Sequence, residues 1–113
     1  MPHCIIEYAQ TIEDICSPEK LIKAVYSGAL NSQLFEPEDI KTRAIPFNNY
    51  TTGTVKQNFI HICLKILSGR TCKQRQMLSS LVLTELEYLS LSSLYLTVEV
   101  IEIERDSYSK KIM

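Results

Sequence analysis

Chemistry in this chain would begin at its second residue. The sequence opens MPHCIIEYAQ, and Pro2 stands at the head of a run that reads as a β-strand. Proline has no N–H for a strand ladder but is tolerated at a strand's first position, so an edge residue without chemistry is the plain explanation. A small residue after Met1 also permits removal of the methionine. Pro2 would then carry a free secondary amine on a rigid ring, a group able to take and return a proton. An α-amino group titrates at about 7.7–8.0, and a proline amine somewhat higher. Apolar burial and neighbouring cations both favour the neutral amine, and general acid–base catalysis works best when the pKa lies near the working pH.

The other reactive side chains offer less. Cys4 would need a histidine base and an orienting acid to act as a nucleophile, and the sequence places neither nearby. His3 should project to the sheet face opposite Pro2 and reads as structural. His61 sits among apolar neighbours on a middle strand, as a satisfied core or interface histidine would. Cys4, Cys16, Cys63 and Cys72 form no CxxC pair and have two histidines to join them, so they read as reduced structural thiols rather than zinc ligands or a disulfide framework. Glu7, Glu99, Glu102 and Glu104 read as solvent-facing strand residues or intersubunit ion-pair partners, not as a catalytic carboxylate pair.

The elements that must position Pro2 form a repeat. PHCIIEY is a short β-branched strand. Ser17-Pro18 is a helix start, with serine as N-cap and proline at the first helical position. Leu21, Ile22, Val25, Tyr26, Ala29 and Leu30 then recur at helical spacing, up to a stop near Asn31-Ser32. DIKTRAIPF reads as a second strand closed by Pro46, and NNYTTG as a turn. In VKQNFIHICLKIL, Ile60, Ile62, Leu64 and Ile66 face one way, and Phe59, His61, Cys63, Lys65 and Leu67 the other. Thr71 with Gln74 makes a capping box for a helix that buries Leu78, Leu81, Val82, Leu86 and Leu89. LYLTVEVIEIE is the last strand, and RDSYSKKIM is polar enough to fray.

The order is therefore βαββαβ, an α+β domain with one βαβ unit over about 2–47, a second over about 56–104, and a tail, 105–113. Two architectures fit: an interleaved ferredoxin-like fold, or two compact parallel βαβ units side by side. Periodicity does not choose between them. Two helices cover one face of a four-stranded sheet, and the mixed apolar second face predicts burial against other subunits. The length, 113 residues, predicts one domain. A net charge of −1, with Lys110-Lys111 the only basic block, gives no support to nucleic acid or an anionic membrane as partner. No stretch approaches a membrane span and the N-terminus has no signal-peptide pattern, so a cytoplasmic, soluble protein is expected.

MPHCIIEYA, Ile40-Lys41-Thr42-Arg43 and HICLKILSGRTCKQRQ together resemble the 5-carboxymethyl-2-hydroxymuconate Δ-isomerase family of the tautomerase superfamily. The resemblance covers nearly the whole chain and is weakest over Phe47–Val55 and the tail. It implies the side-by-side arrangement, a homotrimer joined through the sheets, no metal or organic cofactor, and an isomerase acting on a small unsaturated enol or keto carboxylic acid with Pro2 as acid–base. It also implies cations for the substrate carboxylates. Arg70 matches a family arginine and sits just before the Thr71 N-cap, where exposed N–H groups favour anions. Lys41 falls where the family has an arginine, keeping the charge but not the bidentate fork. Arg43, two residues on and on the same strand face, could supply that fork. The alternatives are the same fold tautomerising another enol acid or carrying out a hydration or dehalogenation, and a non-catalytic ferredoxin-like ligand-binding or interaction domain.

Overall fold

Ser17 and Thr71 start the two helices, as their spacing predicts. In the computed structural model, which describes residues 1–113, α1 (Pro18–Asn31) begins at Ser17, whose hydroxyl accepts the Lys20 N–H. α2 (Cys72–Glu87) begins at a reciprocal box: Thr71 Oγ1 accepts the Gln74 N–H at 3.1 Å, and Gln74 Oε1 accepts the Thr71 N–H at 2.9 Å. Each cap satisfies N–H groups that a helix start leaves without partners. α1 buries Leu21, Ala24, Val25, Gly28 and Ala29. α2 buries Leu78, Val82 and Leu86, whereas Leu81 and Leu89 are only half-buried, Leu89 lying beyond the helix end. The helices meet at Gly28, where a Cβ would stand 2.6 Å from Val82 Cα. Only glycine allows that approach.

The sheet settles the architecture that periodicity left open. β1 (His3–Ala9), β2 (Lys41–Phe47), β3 (Asn58–Leu67) and β4 (Leu94–Ile103) lie in the order β2-β1-β3-β4. β1 pairs parallel with β2, β3 parallel with β4, and β1 antiparallel with β3. Each half is thus its own parallel βαβ unit, and the interleaved arrangement, which separates β1 from β2, is excluded. β2 runs through Pro46 to Phe47 instead of closing at the proline. As an edge strand it tolerates the missing N–H.

Ile60, Ile62, Leu64 and Ile66 of β3, with Cys4, Ile6 and Tyr8 of β1, form the buried layer against the helices. The other face carries Ile5, Ile45, Phe59, Cys63, Tyr95 and Ile101, with no second layer of the chain over it. The tail is placed by contacts as far as Lys110, and Ile112 and Met113 beyond it stand exposed. Arg105–Ser107 makes a 3₁₀ turn, and the residues after it fold back onto the start of β1. No helix is long and apolar enough to cross a membrane.

Candidate active site

Strand directions bring the candidate residues to one end of the sheet. Antiparallel pairing sets His3 opposite Lys65, so β1 starts where β3 ends. Parallel pairing sets the same His3 opposite Lys41, so β2 starts there as well. Pro2, Lys41 and Arg70, three residues past β3, all belong to that end. Pro2 is fully buried, and its carbonyl accepts the Lys41 N–H at 3.0 Å.

With Met1 in place the Pro2 nitrogen is an amide, and the free amine is that of Met1. This ammonium donates to the Asp39 carbonyl at 2.8 Å, and Lys41 Nζ donates to the same oxygen at 3.2 Å. The amine's pKa is lowered, first by partial burial and then by the charge and hydrogen bond of Lys41. The Asp39 carboxylate opposes the shift, and Lys110 adds to it. Partial burial and the Lys41 charge thus shift the Met1 amine toward its neutral form.

Arg43 points elsewhere. Its Nη1 lies 3.2 Å from His3 Nδ1, and His3 Nε2 lies 3.1 Å from the Tyr108 hydroxyl, the two rings meeting edge-on at 6.1 Å. A guanidinium only donates, so Nδ1 accepts, and the neutral imidazole carries its proton on Nε2, facing Tyr108. Burial, then the Arg43 charge, holds the His3 pKa below its ordinary value, consistent with that tautomer. Arg70 donates through Nη2 to the Leu34 carbonyl at 2.7 Å, and its guanidinium lies 5.5 Å from the centre of the Phe35 ring. It grips the segment between α1 and β2, whose far end carries Asp39.

Neither of the remaining sequence candidates, His61 and Cys4, is placed to react. His61 is half-buried on the open sheet face, with Nδ1 2.7 Å from Thr97 Oγ1 and Nε2 2.5 Å from Glu99 Oε2, so both ring nitrogens are satisfied. Burial pushes the Cys4 thiol up to about 11, where it is no nucleophile. No group of three or more His, Cys, Asp or Glu side chains is placed to hold a metal ion. Asp39, Tyr108 and Lys110 had no signal in motif or spacing. They join the cluster because the tail crosses the sheet end and because a main-chain carbonyl collects the cations.

The sequence profile of the family described as 5-carboxymethyl-2-hydroxymuconate isomerase matches residues 2–112. Among proteins of curated function no sequence matches. A solved 5-carboxymethyl-2-hydroxymuconate Δ-isomerase superposes with a TM-score of 0.84 at 15% identity, covering 100% of this chain and 89% of that one. A 5-carboxymethyl-2-hydroxymuconate isomerase from Deinococcus radiodurans R1 gives 0.83 at 22% identity, covering 97% and 88%. A fused 4-OT asymmetric trimer gives 0.74 at 14% identity, covering 96% and 91%. These structures share the fold.

Proposed function

The chain belongs to the 5-carboxymethyl-2-hydroxymuconate isomerase family, and from that membership we propose a cofactor-independent isomerase of small unsaturated enol or keto carboxylic acids, with Pro2 as acid–base once Met1 is removed. The observation that carries this reading is the N-terminal amine held beside Lys41 on the Asp39 carbonyl, in surroundings that lower its pKa. Removing one residue would transfer the amine to Pro2, which is already buried and anchored through its own carbonyl. The amine then takes the proton from a dienol hydroxyl or an allylic carbon and returns it at a second carbon. Arg70 and Lys41 hold the carboxylates and stabilise the negative charge that builds on the enolate oxygen. Arg43 acts from the side, through His3.

The nearest named reaction is the double-bond shift of 5-carboxymethyl-2-hydroxymuconate in aromatic-acid breakdown. The subunits associate as a homotrimer through the open sheet faces, where Ile45, Tyr95 and Ile101 are exposed in the single chain. Sedimentation should then report about three times the 13.0 kDa of one chain, and a monomer would sink the assembly. The decisive assay is ultraviolet-monitored ketonisation of a 2-hydroxymuconate-type dienol by protein shown by intact mass to lack Met1. Pro2→Ala should lower the buffer-corrected rate by about a hundredfold or more, the scale of a lost general base. Equal rates for the two proteins would end the proline mechanism.

A further inference from the structure

The tail after β4 takes a course that neither the helices nor the sheet requires. Arg105 Nε donates to the Ser68 carbonyl, at the turn leading to Arg70. Tyr108 then meets His3, the residue next to Pro2. Lys110 Nζ comes to 3.9 Å from Asp39 Oδ1, on the residue whose carbonyl binds the amine and Lys41. Three anchors thus carry the strap from the β4 edge across the sheet end to the start of β2. We infer that this strap completes the substrate site, with Lys110 holding a second carboxylate of the substrate and Tyr108 fixing the strap in place.

The inference deepens the function proposed above, since it rests on carboxylic acids binding at this end of the sheet. Charge balance supports it. Arg43 is turned to His3, and Arg70 donates to Leu34 through Nη2 while the rest of its fork hydrogen-bonds to no protein partner, whereas Lys41 and Lys110 both flank the amine against a single carboxylate, that of Asp39. The Lys110–Asp39 pair is long and both partners are exposed, at 46% and 43%, so it contributes little. An incoming carboxylate can take Lys110 from Asp39 with little loss. Arg70 and Lys41 hold the carboxylate nearest the reacting carbons, and Lys110 reaches the more distant one. Tyr108 is a positioning residue, acting through its bond to His3.

Calorimetric titration with muconate and sorbate, six-carbon dienoates that differ by one carboxylate, separates the roles. Wild type should bind muconate more tightly. Lys110→Ala should weaken muconate about tenfold, the scale of one lost charge-assisted contact, and leave sorbate within about twofold. Lys110→Arg should restore muconate binding, and Tyr108→Ala, by releasing the strap, should repeat the Lys110→Ala pattern. Equal weakening of both ligands would assign Lys110 a structural role and overturn the inference. So would unchanged muconate binding, or no preference for muconate in wild type. Turnover is followed separately with Pro2→Ala, so a protein that binds muconate through Lys110 without catalysis would refute the isomerase reading and leave this one standing.

Discussion

Lys41→Gln tests whether the cation beside the amine sets its basicity. Lys41 Nζ and the amine donate to the same Asp39 oxygen at 3.2 and 2.8 Å, so the two charges are at most about 6 Å apart. At that separation the repulsion is about 0.7 kcal/mol with water-like screening and about 3 kcal/mol at an effective dielectric of 20. The Met1 amine is mostly open to solvent, but the proline amine that replaces it once Met1 is removed is buried, so the fully screened figure, about half a pKa unit, is the lower limit. Removing a like charge stabilises the protonated amine, so its pKa rises and less free base is present at any pH below it. The acid limb of kcat/KM for dienol ketonisation should move up in pH by at least that amount. At a pH one unit below the wild-type pKa, the variant should lose a further factor of about 3 or more, beyond any loss on the high-pH plateau. The plateau loss reports binding alone. Lys41→Arg keeps the charge, and its limb should stay in place. A limb that is unmoved in Lys41→Gln, or that moves to lower pH, would refute the reasoning.

Three further perturbations follow from the geometry. Gly28→Ala gains about 1 kcal/mol of helix propensity but forces a Cβ to 2.6 Å from Val82 Cα. Overpacking costs about 1–3 kcal/mol, and backbone cannot yield as a side-chain tip can. The urea midpoint, read at fixed protein concentration, should therefore fall with an unchanged slope, and a stabilised variant would contradict the close approach. Arg70→Ala removes both the grip on Leu34 and the carboxylate fork, and should raise KM about ten- to a hundredfold, the range of a charged hydrogen bond. Arg70→Lys should recover only part of that, and full recovery would deny the fork any role. In the native protein iodoacetamide should label exposed Cys72 first by mass spectrometry, whereas buried Cys4 and Cys16 should react only on unfolding. Early labelling of Cys4 would contradict its raised pKa.

Elements were legible in the sequence where a local rule forces them. Ser17-Pro18, the Thr71–Gln74 box and the alternation of Ile60 to Ile66 each specify structure within a few residues, and the structure has all three. The choice between interleaved and side-by-side halves was not legible, because strand order depends on contacts between distant segments, which periodicity does not encode. Pro46 misled because its cost depends on whether β2 is central or at an edge, which is again a matter of strand order. The tail read as polar and loose because its anchors are single contacts: Arg105 to Ser68, Tyr108 to His3, and Lys110 to Asp39. Arg43 shares strand parity with Lys41, but its guanidinium turns to a histidine on the neighbouring strand rather than to the amine.

A deeper reason the site hides in the sequence is that main-chain oxygens organise much of it. Leu34 O holds Arg70, Asp39 O collects the amine and Lys41, Pro2 O accepts the Lys41 N–H, and Ser68 O holds Arg105. A carbonyl has no residue-type signature, so a site built on carbonyls leaves little for motif or spacing to find. The segment supplying two of these oxygens is fixed at its start, where the Ser32 hydroxyl donates to the Ala29 carbonyl at 2.6 Å and accepts the Leu34 N–H at 3.2 Å. Asp39→Asn separates the carbonyl from the carboxylate. The substitution keeps the main-chain oxygen, so Lys41 and the amine should stay together, while the charge that raises the amine's pKa is removed. The pKa should fall, and the acid limb of kcat/KM should move to lower pH, opposite in sign to Lys41→Gln. If both substitutions moved the limb the same way, the carbonyl would not be what holds the two groups together, and charge alone would not set the basicity of the amine.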